Sequence, residues 1–268
     1  MRTIRSFIGF FKEVGQKFLK YRFLFEELVK RDFKKKYKRT LLGVLWSLLA
    51  PMLQLGVMAL VFTNFFGRTT PHYIVYLFSG NLVYSYFSQS TTSGMTALEN
   101  NAGIISKINV PKYMFLLSHN VASLINFLLT LIIYFIFVIA DGLGMHWSYL
   151  TLIYPIVCLM FFNIGMGLIL SALHMVFKDL SYLYSIFTML IMYMSAVFYQ
   201  VTTFPAEVQG LFFINPIYDY IYYFRSVVIN GVIPNLTHHA ICLGYPVLVM
   251  TIGMIMYHKM NYKFLYYI

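Results

Sequence analysis

A chain of 268 residues in which 60% of side chains are apolar and only 11% charged is not an ordinary soluble domain, where about a quarter of residues carry charge. The missing polar surface has to face lipid. The net charge of +11 does not make the chain a nucleic-acid binder, because thirteen of the twenty Lys and Arg precede Leu41 and form a basic preface to a membrane domain.

Residues 1–40 read as a cytoplasmic amphipathic interface region and 41–268 as a single six-span transmembrane domain. In the preface, Phe25, Leu28, Val29, Phe33 and Tyr37 recur at helical spacing. Lys30, Arg31, Lys34, Lys35 and Lys38 take the other faces, so a helix over about 23–39 is expected to lie along the membrane surface. A cleaved signal peptide needs a short apolar core very near the start. Forty residues come first here, so the run 41–66 is expected to be an uncleaved span.

Spans of about twenty apolar residues cross the hydrocarbon core. Six runs qualify: 42–66, 73–96, 116–140, 147–173, 180–200 and 236–258. The second is diluted by Ser79, Gly80, Asn81 and the hydroxyl cluster from Ser88 to Thr96, which suits a helix packed against protein. A cytoplasmic amino terminus puts eighteen Lys and Arg inside and leaves only Arg68 and Arg225 outside, so both termini are expected in the cytoplasm. Between spans five and six, 206–214 and 217–229 are apolar stretches too short to cross, separated by Asn215-Pro216. They predict a re-entrant helical hairpin over about 201–235, tolerated at membrane depth only against protein or a water-filled cavity.

Enzyme chemistry finds little support. The sequence has no GxxxxGK[ST] phosphate loop, GxSxG elbow, HExxH or Gly-rich dinucleotide turn. His174 and Asp179 have the H-x4-D spacing that resembles the catalytic pair of membrane glycerolipid acyltransferases, in which a carboxylate orients an imidazole base. The alternative is a cytoplasmic span end where Lys178 and Asp179 cap a helix or pair. Cys158 and Cys242 lie in apolar runs without CxxC and read as packing residues, implying neither disulfide nor metal. His238 and His239 are adjacent, diverge on a helix and make a poor metal pair. Asn235-Leu236-Thr237 fits a glycosylation sequon too short to carry weight.

Several separated features together resemble the permease subunits of ABC exporters for polysaccharides and polyol phosphates. These are Arg31-Asp32-Phe33, Tyr37, Thr40, Leu42-Gly43, Leu45-Trp46 and Pro51; then Asn101, Ile105, Lys107 and Val110-Pro111-Lys112; then Lys178-Asp179, Asn215-Pro216 and Tyr223-Phe224-Arg225. Lys178 stands where the family usually has Arg, and Ser195-Ala196 where it often has Ser-Pro.

The resemblance implies an all-α polytopic protein of the bacterial cytoplasmic membrane that pairs as a homodimer with two copies of a separate ATPase. ATP and Mg would sit on that partner and no cofactor on this chain. It implies a coupling loop at about 97–115, with Arg31, Asp32, Tyr37, Glu99, Lys107, Pro111 and Lys112 toward the ATPase. Asp32 has an alternative partner in Lys36, four residues on. The implied cargo is a lipid-linked glycan such as O-antigen, capsule or teichoic acid; a drug or a lipid is the alternative.

Aromatic residues make up 19% of the chain. Tyr193, Phe198, Tyr199, Tyr218 and Tyr222 are candidates to stack on sugar rings, and an interfacial aromatic belt accounts for such residues too. Trp46, close before Pro51, belongs to the family pattern and is expected near the cytoplasmic mouth. Arg225, costly at membrane depth, is expected either to contact an acidic group of the cargo or to pair with Glu207 or Asp219.

Overall fold

The computed structural model describes residues 19–35, 40–66, 71–260 and Phe264, and every regular element among them is helical. In chain order these are α1 (Arg22–Lys35), α2 (Trp46–Phe66) after a 3-10 turn at Gly43–Leu45, α3 (Tyr73–Met95), the single turn α4 (Ala102–Ile105) and α5 (Tyr113–Ala140). Then follow a 3-10 segment Trp147–Leu152, α6 (Ile153–Val176), α7 (Leu180–Met194), the short α8 (Ala206–Gln209), α9 (Pro216–Val228) and α10 (Leu236–Met260).

Four helical segments are long and apolar enough to cross a membrane: Gly43–Thr63, Tyr113–Ala140, Trp147–Val176 and Leu236–Met260. Tyr73–Met95 has the length but is more polar, and Leu180–Met194 is apolar but has only fifteen residues. The helix expected over 180–200 therefore stops early. Ser195 Oγ donates to the Ile191 carbonyl, and Ala196 takes a left-handed φ of 49°, which a regular right-handed helix does not admit.

α3 is the centre of the bundle, packing against α2, α5, α6, α7 and α9. Its composition explains the position. Small and hydroxyl residues let other backbones approach, and most of its length is buried. Glycines do the same on two faces of α6. A methyl group on Gly165 would lie 2.7 Å from the Met250 backbone nitrogen of α10, and one on Gly253 would lie 2.7 Å from the Gly165 carbonyl oxygen. Gly167 faces the other way, onto Leu116, and a methyl on Gly94 of α3 would lie 3.2 Å from Gly167 Cα.

α9 begins as its sequence dictates. Asn215 is the N-cap, its Oδ1 accepting from the Ile217 N–H at 3.0 Å, and Pro216 occupies the first helical position, where no amide is needed. The arm before it is less regular than expected, one α turn at Ala206–Gln209 running into 3-10 helix at Gly210–Ile214. α9 is joined to α10 through a proline. Pro246 has no N–H for the carbonyl four residues back, that of Cys242, and the Tyr220 hydroxyl donates to this carbonyl at 2.9 Å. Tyr220→Phe should leave the Cys242 carbonyl without a partner and cost about 1–3 kcal/mol, measurable as a lower unfolding midpoint in detergent. An unchanged midpoint would show that the carbonyl is satisfied otherwise.

Two apolar cores result. One fills the bundle around α3, α5, α6 and α9. The other joins Leu28 of α1, Ala97, Leu98 and Ile105 of the α3–α5 connection, Phe115, Leu116, Leu168, Ala172, Tyr257 and Phe264. The second makes α1, that connection and the adjacent ends of α5, α6 and α10 one packed unit.

Candidate functional site

Three helices contribute polar stripes to one cavity of about 660 Å³. α3 supplies Asn81, Ser85, Ser88, Gln89 and Thr92, spaced four, three, one and three residues apart and so on one helical face. α5 supplies Ser123, Asn126 and Thr130 at the same period. α2 supplies Trp46, Ser47 and Gln54, and Thr40, upstream of the 3-10 turn, adds a hydroxyl. Tyr84, Tyr86 and Phe127 add rings. Ser90 and Thr91, on the other side of α3, are used internally: Asn120 Nδ2 donates to Ser90 Oγ at 2.7 Å, and the Tyr184 hydroxyl donates to Thr91 Oγ1 at 2.6 Å. The hydroxyl cluster read from the sequence as a packing surface is thus a packing surface on one face and a chamber wall on the other.

Trp46 is the predicted path residue that lines this chamber. The others gather around α9. Phe198 is buried and stacks on Phe62 with centroids 4.8 Å apart, and Tyr193, largely exposed, lies 6.1 Å from Phe198. The Tyr199 hydroxyl donates to the Tyr193 carbonyl. Tyr218 is buried against Phe212 and Phe213, while Tyr222 is half-buried against Phe213 and His238. These rings pack on one another.

Arg225 corrects the sequence reading. It makes no pair with Glu207, which is exposed, or with Asp219. Its guanidinium is buried and lies 3.4 Å from the centre of the Tyr76 ring. It donates to the carbonyls of Ala196 (2.9 Å), Val197 (3.1 Å) and Tyr76 (3.1 Å). Five donors in a planar fork suit such a cage of dipoles, and the ring face adds a cation–π contact. Gly80 leaves the room, since a methyl there would stand 2.7 Å from Nη2. The charge thus ties α3, the strained turn after α7 and α9 together.

Asp219 belongs to a cluster that the sequence did not disclose. Its carboxylate is 2.7 Å from His238 Nδ1 and accepts from the Cys242 thiol at 3.0 Å. Cys242, read as a packing residue, therefore also bonds. No linear spacing signals this triad, because 219 lies on α9 and both partners on α10.

At the other end of the molecule Asp32 is 2% exposed. It accepts from Arg31 at 2.6 Å and from Ser118 Oγ of α5 at 2.7 Å, with His119 Nδ1 at 3.6 Å. Within the chain this carboxylate fastens α1 to the start of α5. Lys36, its alternative partner, and Tyr37 lie outside the described residues. Lys107 is exposed, Pro111 half-buried, and Lys112 lies over the Phe264 ring at 5.5 Å.

Glu99 takes His174 Nε2 at 2.8 Å and Lys178 Nζ at 3.0 Å. The imidazole of the H-x4-D pair therefore faces Glu99 and not Asp179, so the acyltransferase geometry is not formed. Lys178, and then His174, hold the Glu99 carboxyl below its ordinary range. A depressed carboxyl contributes above its unfolded pKa, about 4.3, and loses the contribution as pH falls through the lower folded value. At neutral pH the contact is intact. Because Glu99 and Lys178 are both half-exposed, Glu99→Gln should loosen the loop by only about 0.5 kcal/mol, seen as faster hydrogen exchange over 98–105. Unchanged exchange would remove the tether.

Apolar helices of membrane length around an internal polar chamber define a helical membrane protein of the kind that permeases represent. Residues 24–229 match the ABC-2 type transporter family, and the chain belongs to that family. It is similar to two proteins of Klebsiella pneumoniae described as O-antigen export system permease protein RfbA. Each is 27% identical over 247 residues, covering 90% of this chain and 95% of the relative. A protein of the same description from Myxococcus xanthus is 30% identical over 189 residues, covering 70% and 72%. Such permeases are transporter components, and the family implies an ABC ATPase partner.

Proposed function

We propose that this chain is the membrane subunit of an ATP-driven exporter that moves a lipid-linked polysaccharide from the cytoplasm to the outer face of the cytoplasmic membrane. The observation that carries the reading is the chamber between α2, α3 and α5. Its hydroxyls and amides can replace the hydration of a polyhydroxylated chain, and Trp46 offers a ring for the apolar face of a sugar. The O-antigen permease relatives support the same cargo class.

In this reading α2, α3, α5, α6, α7 and α10 are six crossings with both termini cytoplasmic. The segment 201–235 is a hairpin entering from the outer face. Two copies pair along exposed apolar faces such as those of α2 and α7, and two ATPases bind below. Exposed Lys107 and its neighbours Pro111 and Lys112 meet the ATPase, together with Arg31 and Tyr37 of the preface. The α3–α5 connection shares its apolar core with α1 and with the ends of α5, α6 and α10, so displacement at the connection reaches those helices as a unit. ATP contributes only through its different affinities for the two states.

The test is a deletion strain. Undecaprenyl-linked polymer should accumulate inside the cell and its surface form should disappear. Absence of accumulation would sink the export reading, and failure of an ATPase to copurify would sink the coupling.

A further inference from the structure

We infer that the cargo carries no dense charge: the chamber selects an uncharged glycan over polyol-phosphate or uronate polymers. The inference rests on the export reading above and deepens it by naming the chemical class of the polymer.

Every described residue that lines the chamber is uncharged; no Asp, Glu, Lys, Arg or His is among them. The buried ions Arg225 and Asp219 do not line it and are already committed elsewhere. Arg225 spends its donors on carbonyls, and Asp219 is held by His238 and Cys242. A polyanion would bring about one negative charge per repeat against a half-open wall of uncharged side chains backed by an apolar bundle. Bringing each such ion out of water costs several kcal/mol unless a cation or a set of strong donors meets it. Anion pathways meet this cost with rings of Arg or Lys. The chamber has no such ring among the described residues.

What it has instead matches alcohols. Gln54, Asn81 and Gln89 each present both a donor and acceptors, and Ser88 and Thr92 do the same through hydroxyls. A sugar hydroxyl is also both donor and acceptor, so either partner can give the proton and the register need not be fixed. That tolerance suits a polymer sliding through, which must bind weakly at many positions. The volume, about 660 Å³, lies in the range that encloses ligands of a few rings, roughly 300–1,000 Å³.

The experiment exploits sign. Gln54 is on the exposed side of α2, so it can be changed without disturbing the core. Gln54→Glu and Gln54→Lys, with Gln89→Glu and Gln89→Lys as a second pair, are introduced in the native strain together with its own ATPase. Surface polymer is measured per membrane-inserted permease. For an uncharged cargo the two signs are equivalent, and both should reduce export by a similar factor, within about twofold of each other. Export retained in the Lys variants but lowered tenfold or more in the Glu variants, the difference that like-charge repulsion of about 1.4 kcal/mol or more produces, would assign an anionic polymer and overturn the inference. The opposite asymmetry overturns it equally, as does wild-type export by all four variants, which would take the chamber off the path. The deletion strain is assayed in parallel. If it shows no internal accumulation, the export reading itself fails, a result separate from any sign asymmetry.

Discussion

Arg225→Met should abolish most of the folded protein recovered from membranes, and what survives extraction should unfold roughly 10 °C below the wild type. The substitution preserves bulk and removes the donors. The carbonyls of Ala196 and Val197 then lose their partner in a buried setting, each at a cost of about 1–3 kcal/mol, while the Tyr76 carbonyl keeps the Ser79 hydroxyl but loses the charge-assisted bond and the cation–π contact. Non-additivity brings the sum to about 3–5 kcal/mol, a large share of a typical stability of 5–15 kcal/mol. The loss should be local first. Ala196 holds a left-handed φ of 49°, a conformation that persists only where surroundings enforce it, and its carbonyl bond to Nη1 is one of those enforcements.

Arg225→Lys should fall between, since one ammonium cannot reach three carbonyls and stack on Tyr76 together. Gly80→Ala attacks the same cage from the other side, its methyl lying 2.7 Å from Nη2 and 3.2 Å from Val197 Cα. The double variant should therefore cost less than the sum of the singles. Full additivity, or a Met variant with wild-type melting, would show that the cage is not what holds the turn.

The difference between what was legible in the sequence and what was not follows the range of the physical signal. Helix positions were readable because apolar length and N-cap chemistry are local: Asn215-Pro216 marks the start of α9, and each of the six apolar runs contains a helix, though not always to the expected end. The chamber was half readable. Asn81, Ser85, Ser88, Gln89 and Thr92 carry a 3.6-residue period, yet the hydroxyls of that stretch point in two directions, and only the packing of α2 and α5 decides which face is a wall. Arg225 could not be resolved from sequence. A search for its partner looks for carboxylates, and its partners are backbone carbonyls on residues 149, 29 and 28 positions away. The same holds for Glu99, which meets His174 and Lys178 only because the α3–α5 connection folds under α6. The end of α7 was misplaced because apolar content continues through Ala196, Val197 and Phe198 while the backbone has already turned.

Gly165→Val should disable the permease more thoroughly than any single change in the chamber, although residue 165 does not line it. α6 and α10 meet backbone to backbone there: even the first carbon of a side chain would stand 2.7 Å from Met250 N and 2.9 Å from the Val249 carbonyl carbon, and neither is a flexible tip that can move aside. The helices would have to separate by an ångström or more, opening voids along the whole crossing, because interiors are packed too tightly to absorb a local wedge. The expected cost is about 3 kcal/mol or more, at the upper end for overpacking. Gly165→Ala should show a smaller loss of the same kind, and Gly253→Ala, whose methyl meets the Gly165 carbonyl at 2.7 Å, should match it. Gly244→Ala on the same helix has open space around it and serves as the control; it should retain wild-type abundance, unfolding midpoint and export. A Gly165→Val protein that assembles and melts like the wild type would mean that the α6–α10 crossing is not close-packed, and the second apolar core, which includes Leu168 of α6 and Tyr257 of α10, would lose its claim to move as one piece.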